Sequence, residues 1–187
     1  MCGRYQINLT ADDLRSYFGV TASPPPKVRY NVAPGTPCLI IRDIADHGRI
    51  ASPAHWGLIP FWAKDPAIAN QLVNARGETA ADKPAFRAPM RYRRCLIPAT
   101  AFYEWKRMST RLKHPYCLHR ADGQPLAIAG LWDHWENPQS GERIESFTLL
   151  TTAANADVAP IHHRMPLILE PRNFNRWLDP TTNDQPG

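Results

Sequence analysis

Short runs of alternating apolar and polar residues dominate the chain and predict strands. Pro37 to Ile44 and Arg49 to Trp56 form one such pair, and Asp46-His47-Gly48 between them favours a turn, so a β-hairpin is predicted. Asp122-Gly123 is typical of a second hairpin turn. Further predicted strands are Cys2 to Asn8, Cys95 to Pro98, Phe102 to Lys106, Tyr116 to His119, Leu126 to Leu131 and Phe147 to Thr152. The chain is therefore expected to be built mainly from strands.

Only two segments have the pattern of a helix. Thr10 is a typical N-cap, and the apolar stripe after it ends before Gly19. Pro171 to Leu178 predicts a short terminal helix, after which the tail beyond Asp179 is polar. Trp56 to Lys64 is too rich in proline, glycine and aromatic residues for a regular element and predicts a shaped loop. The 19 prolines argue against long helices, since proline breaks helix interiors.

The length of 187 residues suits one domain with its own core, and a single domain over residues 1–187 is expected. No apolar run approaches the roughly 18–20 residues of a membrane span. The N-terminus lacks the charged and apolar regions of a signal peptide. A cytoplasmic monomer is therefore expected, with no membrane partner.

The cysteines and charges narrow the possible partners. The four cysteines are widely spaced and have no histidine at zinc-ligand spacing, so neither a metal site, a cofactor nor a disulfide framework is expected. The net charge is +5, and Glu104 is the sole acid among the residues from 87 to 113. That stretch carries Arg87, Arg91, Arg93, Arg94, Lys106, Arg107, Arg111 and Lys113. A polyanion is a plausible partner, and a solvated basic face is the alternative.

The N-terminal dipeptide offers a specific chemistry. Removal of Met1 would leave Cys2 with an amine and a thiol on one carbon framework, a 1,2-aminothiol. An α-amine has a pKa of about 7.7–8.0, so it can attack an aldehyde near neutral pH. The thiol can then close onto the imine carbon and give a thiazolidine. In the alternative interpretation Cys2 is simply the second residue of the chain and has no role.

Three further positions carry candidate chemistry. Strand alternation places Glu104 on one face of its strand and Tyr103 and Trp105 on the other. Burial of that face would raise the pKa of Glu104, as suits a general acid. In the alternative interpretation Glu104 is an exposed strand glutamate. Asn74 could hold a hydroxyl or imine and Arg76 a phosphate, or the segment could be a capped helix start.

Two adjacent histidines add a possible proton shuttle. In a strand, His162 and His163 would point to opposite sides, so one of them would face a given pocket. Trp62 is the best candidate for stacking on a base, although aromatic core is the commoner role of such residues.

Several motifs together resemble the SRAP family, the SOS-response-associated peptidase-like proteins. Their order and their span, from residue 2 to about residue 170, also match that family. The motifs are Met1 to Tyr5, Tyr30 to Thr36, Trp56 to Pro60, Asn74 to Thr79, Phe102 to Trp105 and His162 to Pro166. The resemblance implies an α+β fold around a curved, mostly antiparallel and barrel-like sheet with short flanking helices.

The resemblance also implies a function. A member of this family is an abasic-site sensor of the DNA damage response that binds single-stranded DNA and forms a thiazolidine crosslink through Cys2 after loss of Met1. Glu104, Asn74 and His162 match the family's catalytic positions. The positions that match its DNA channel are Asn31, Pro34, Trp62 and Thr152, and Arg4 and Arg76 would hold the phosphates that flank the lesion.

The sequence is also compatible with other activities. The chain could also act as a DNA lyase at abasic sites, by β-elimination from the imine. It could be a cysteine peptidase that uses Cys2, including one that only removes its own Met1, or a noncovalent single-strand binder. The sequence departs from the family at Ala63 and Pro84, where some members have a tryptophan and an arginine, and its C-terminus is shorter than usual.

Overall fold

The structure is a computed structural model that describes residues 2–182. The expected loss of Met1 and most of the predicted polar tail lie outside the described residues. Between residues 2 and 182 the strands are β1 (Arg4–Ile7), β2 (Val20–Ala22), β3 (Arg29–Val32), β4 (Pro37–Ile44), β5 (Gly48–Trp56), β6 (Asn74–Arg76), β7 (Arg94–Ala99), β8 (Ala101–Arg107), β9 (Lys113–Leu118), β10 (Leu126–Glu136), β11 (Arg143–Ala153), β12 (Arg164–Pro166) and β13 (Ile168–Leu169).

Short helices flank these strands. The α-helices are α1 (Ala11–Ser16), α2 (Pro84–Tyr92) and α3 (Phe174–Leu178), and 3₁₀ helices span Pro66–Gln71, Gly77–Asp82 and Pro171–Asn173. No helix within residues 2–182 is both long enough and apolar enough to cross a membrane.

The larger sheet closes on itself. Its central strands follow the order β11, β10, β7, β4 and β5 with antiparallel pairing. A parallel pairing of β5 with β11, through His55 opposite Ser146 and Trp56 opposite Phe147, joins the two ends. The result is a closed five-stranded barrel, which leaves no free edge between these strands.

A smaller antiparallel sheet packs beside the barrel, in the order β3, β1, β8 and β9. Tyr5 on β1 faces inward, and its ring lies 5.2 Å from the ring of Trp56. Trp56 in turn stacks on Phe147 of the barrel at 6.4 Å. Cys2 belongs to the same buried cluster. The small sheet therefore presses the N-terminal segment against the barrel core.

Most sequence predictions of fold are confirmed. The hairpin is observed as β4 and β5, and Thr10 caps α1 through a capping box with Asp13. Strands cover the other predicted segments, although the first begins at Arg4, after Cys2. The fold class, mainly strands with a few short helices around a barrel, is confirmed.

Two local predictions are wrong. Asp122-Gly123 forms a turn, but not a hairpin, because β9 pairs with β8 and β10 pairs with β7, β11 and β13. His162 and His163 lie in the irregular segment before β12 and not in a strand, and their ring centres are 4.5 Å apart. The alternation of a strand therefore does not apply to them, and nonlocal strand pairing replaces the expected second hairpin.

Candidate active site

Cys2 lies at the end of the small sheet that meets the barrel. Its side chain is buried, its thiol contacts the Arg4 carbonyl at 3.5 Å, and its own carbonyl accepts a hydrogen bond of 2.8 Å from Asn74 Nδ2. Burial raises the pKa of Cys2 to about 12, and the nearby negative charge of Glu104 adds to this effect. The thiol is therefore protonated at neutral pH and held close to a carboxyl group.

Asn74 reaches Cys2 from the barrel. It opens β6, which pairs in parallel with β11, so that Asn74 lies opposite Leu149. Its Nδ2 donates to Cys2, while its Oδ1 is buried and has no hydrogen-bond partner among the described residues. A buried amide oxygen of this kind can accept a hydrogen bond from a bound molecule.

Glu104 lies on β8, with Phe102 on the same inward face. Only 2% of Glu104 is exposed, and burial raises the pKa of its carboxyl above the ordinary value, against an opposing effect of His162. Glu104 Oε1 lies 3.8 Å from His162 Nδ1. A buried carboxyl beside an imidazole can exchange a proton with a bound molecule.

The segment that follows His162 fixes the imidazole. His162 Nδ1 lies 3.1 Å from the Arg164 N–H and 3.0 Å from the Arg164 carbonyl oxygen, so the backbone of Arg164 fixes the orientation of the ring. The Arg164 guanidinium makes two hydrogen bonds of 2.6 and 2.8 Å to the Glu78 carboxylate and one of 2.7 Å to the Thr151 carbonyl. This bidentate pair anchors the segment to the barrel.

The structure thus brings the four predicted catalytic residues together. Asn74 contacts Cys2, the charge of Glu104 acts on Cys2, and Glu104 lies beside His162. Within residues 2–182, no group of three or more histidine, cysteine, aspartate or glutamate side chains is placed to hold a metal ion.

The predicted DNA-binding residues lie on several different strands and loops. Arg4 donates to Asn31 Oδ1 at 2.9 Å across β1 and β3. Arg76 is exposed at the end of β6 and lies opposite Thr151, the neighbour of the half-buried Thr152. Pro34 is exposed on the turn between β3 and β4, and Trp62 is 49% exposed on a separate loop.

Comparison with known proteins identifies the family. The model of the family described as SOS response associated peptidase, SRAP, matches residues 1–187. The chain belongs to the SRAP family.

Relatives and solved structures agree with this assignment. The SRAP chain is 38% identical over 187 residues to a Bacillus subtilis protein named abasic site processing protein YoqW, covering 98% of this chain and 83% of that one. It is 34% identical to abasic site processing protein YedK of Escherichia coli, covering 95% and 79%. A crystal structure from Bordetella bronchiseptica, with 33% identity, aligns with a TM-score of 0.81 and covers 95% of this chain and 88% of the other.

Sequence reasoning missed the side chains that hold the Trp62 loop of this SRAP protein. Asp133, which is fully buried on β10, accepts a hydrogen bond from the Phe61 N–H at 3.2 Å. Trp135 Nε1 donates to the Ala63 carbonyl at 2.7 Å, so both neighbours of Trp62 are fixed. Trp62 is therefore presented to solvent by a supported loop. The sequence offered one signal of this supporting role, which is the position of an aspartate between two tryptophans on a strand.

The same loop begins at a position that only glycine fits. Gly57 has a φ of +129°, and a Cβ there would lie 2.8 Å from the Ala69 carbonyl oxygen. Its N–H donates to the Phe147 carbonyl at 2.8 Å, which ties the start of the loop to β11.

The structure also divides the basic stretch of the SRAP chain. Arg94 is buried and donates to the carbonyls of Met90 and Trp177, and Arg93 pairs with Asp133 at 3.2 Å. These two arginines therefore serve the fold and do not add to a basic surface. Arg87, Arg91, Arg107, Arg111 and Lys113 are exposed.

Proposed function

We propose that this protein processes abasic sites in single-stranded DNA by covalent capture through Cys2. The observation that carries the proposal is the meeting of a buried thiol, a buried carboxyl with a raised pKa, an imidazole and an amide at one point. The names of the relatives, abasic site processing proteins, agree with it. The exposed Arg76 and Trp62 suit the phosphates and bases of a single strand.

The first step is hydrolysis of the Met1–Cys2 peptide bond, which consumes one water and gives Cys2 a free amine. The Asn74 amide already binds the Cys2 carbonyl and so fixes the position of this residue. Glu104, whose pKa is raised by burial, then donates a proton to the ring oxygen of the abasic sugar. Departure of the hydroxyl proton at C1′ completes the ring-opened aldehyde.

Crosslinking follows from the 1,2-aminothiol. The amine adds to the C1′ aldehyde and one water leaves, which gives an imine. The thiol sulfur then bonds to the imine carbon, and the thiol proton ends on nitrogen after passing through a base; Glu104, having lost its proton, is placed for that transfer. The net product is protein plus DNA minus one water. His162 and Asn74 orient the hydroxyl and the imine.

Lyase activity is a branch of the same path. If the thiol does not close on the imine, loss of a proton from C2′ and of the phosphate from C3′ cleaves the strand. A cysteine peptidase acting on other proteins has less support, because it needs a thiolate and burial keeps the Cys2 thiol protonated. The removal of Met1 is the peptidase step that fits the proposal.

Cysteine variants test the proposal. Wild type, Cys2→Ala, Cys2→Ser and Cys117→Ala are incubated with a single-stranded oligonucleotide carrying one abasic site and separated on denaturing gels. Cys117 is exposed and provides the matched control. Wild type and Cys117→Ala should form a stable adduct. Cys2→Ala should form none, and Cys2→Ser should cleave the strand without a stable adduct. An undiminished adduct in Cys2→Ala would overturn covalent capture through Cys2.

A further inference from the structure

The β8–β9 hairpin extends beyond the rest of the small sheet. β1 covers only the first part of β8, where Arg4 lies opposite Tyr103 and Gln6 opposite Ala101. Among the described strands β9 pairs with β8 alone, and the pairing continues to Arg107 opposite Lys113. The outer half of the hairpin is therefore a two-stranded arm that begins at the level of Glu104.

The strand register shows which residues share a face of this arm. Glu104 lies directly opposite Tyr116, and Lys106 lies directly opposite His114. Directly opposite residues have Cβ atoms about 4.5–5.5 Å apart and project to the same side. Alternation puts all four residues on one side, so the surface next to the buried Glu104 consists of Tyr116, Lys106 and His114, which we term the hairpin face.

The hairpin face has an aromatic pair open to solvent. Tyr116 is 37% exposed and His114 is exposed, and their rings lie 5.3 Å apart with an angle of 51° between their planes. A tyrosine that serves only the core would be covered. These rings instead adjoin the site carboxyl and present area on which a nucleobase can stack.

The charge around the hairpin face is complementary to a nucleic acid. Lys106 lies on the face itself, and Arg107, Arg111 and Lys113 surround the end of the arm. The sole acid from residue 87 to residue 113 is Glu104, which is buried at the opposite end of the face. Stacking area with adjacent cations is the combination that binds single strands with little sequence preference.

We propose that the hairpin face is a nucleotide subsite of the DNA channel, which stacks the base next to the abasic position on Tyr116 and His114 and binds a neighbouring phosphate through Lys106. This inference rests on the proposed function for its ligand. It assigns to β9 a role in holding the strand that continues beyond the lesion.

Tyr116→Leu tests the subsite, because it keeps apolar bulk and removes the aromatic plane. Affinity for an undamaged, labelled oligothymidine is measured by fluorescence anisotropy, which requires no covalent step. The dissociation constant should rise about five- to 100-fold, the range expected for loss of base stacking, and Tyr116→Phe should retain the wild-type value. Thermal unfolding of each variant verifies the fold.

Trp105→Ala is the matched control, since Trp105 is 36% exposed on the same hairpin but on the opposite face. It should leave the dissociation constant within about twofold of the wild type, because it removes no stacking partner on the hairpin face. Equal affinity of Tyr116→Leu and wild type, or a larger loss in Trp105→Ala, would overturn the proposal and leave the hairpin face to some other ligand.

A fluorescent base separates this subsite from the proposed chemistry. In a Cys2→Ala background, 2-aminopurine placed beside the abasic site should be quenched on binding, and Tyr116→Leu should abolish the quenching. Quenching by a wild-type protein that forms no adduct would refute covalent capture and leave the subsite intact. Full adduct formation by wild type, together with quenching that Tyr116→Leu does not change, would refute the subsite and leave covalent capture intact.

Lys106→Ala provides a second measurement. Removing one phosphate contact should reduce the slope of log affinity against log salt by about 0.7. An unchanged slope would exclude Lys106 from the subsite.

Discussion

His162 and Arg164 lie two residues apart, and each faces a glutamate. The pKa values of the two glutamates are nevertheless shifted in opposite directions. Glu104 is buried 3.8 Å from the His162 ring, and burial raises its pKa. Glu78 is half exposed and receives two short hydrogen bonds from Arg164, which lower its pKa to about 2. The same residue type thus has a raised pKa in one place and a lowered pKa in the other.

The difference shows how the site separates chemistry from support. Burial raises the pKa of a carboxyl group, which favours the form that can give a proton to a substrate. A carboxylate that gains a bidentate guanidinium is a fixed anchor. Arg164 uses that anchor to hold the backbone N–H that orients His162. We therefore propose a catalytic role for Glu104 and a positioning role for Glu78.

The largest effect should come from exchanging the two glutamates for glutamine in turn. Glu104→Gln removes the donated proton and should slow adduct formation about 100- to 10,000-fold, the usual contribution of a general acid. Glu78→Gln, the matched control, should slow it far less because Arg164 and Thr151 remain in contact. Quenched time courses on denaturing gels give both rates. Similar losses in the two variants would contradict the division of roles.

The pH dependence should distinguish the two carboxyl groups as well. The raised pKa keeps Glu104 protonated to higher pH than an ordinary glutamate, and the acid form is lost as pH rises through that value. The ratio of the wild-type rate to the Glu104→Gln rate should therefore fall with increasing pH. Taking this ratio removes the separate titration of the Cys2 amine. A ratio that stays constant would argue against proton donation by Glu104.

Arg164→Lys should have an intermediate effect. Lysine keeps the positive charge but cannot form the bidentate pair, so the segment that carries His162 is held less firmly. Adduct formation should slow about tenfold, an order-of-magnitude expectation for a misplaced catalytic group. NMR titration should find the pKa of Glu78 closer to its ordinary value. An unchanged rate with a restored Glu78 pKa would show that the anchor does not position His162.

The smallest effect concerns stability in acid. The pKa of Glu78 falls from 4.5 to about 2 on folding, so its ion pair stabilises the protein above pH 4.5 and this contribution is lost as pH falls toward about 2. Because the pair is partly exposed, less than about 1 kcal/mol is expected. When the pH is lowered from 4.5 to about 2, the free energy of unfolding measured with urea should fall less in Glu78→Gln than in wild type. An equal fall in both proteins would assign the acid sensitivity to other groups.

Local patterns predicted the parts of the fold that local contacts determine. The hairpin of β4 and β5 follows from two adjacent strands and their turn, and α1 follows from its capping residue. Helix α2 was missed because proline argued against it, although Pro84 occupies the first turn, where a proline is tolerated. The closure of β5 onto β11 joins segments about 90 residues apart, which no local pattern encodes.

The candidate site shows the same limit. Alternation on β8 separated Glu104 from Tyr103 and Trp105 but left open whether its face is buried. The family motifs pointed to Cys2, Asn74 and His162. The contacts that support these residues were not predictable, since Arg164 meets Glu78 across 86 positions. Likewise, Asp133 supports the Trp62 loop across 72 positions, through the N–H of Phe61. Such support depends on tertiary packing, so it emerges only from the structure.

Intact mass spectrometry can test covalent capture through the Cys2 aminothiol without any label. The protein is weighed before and after incubation with single-stranded DNA that carries one abasic site. We expect a starting mass without Met1 and a product equal to that mass plus the DNA minus one water, absent in Cys2→Ala. A stable adduct on protein that retains Met1, or the same adduct in Cys2→Ala, would contradict it.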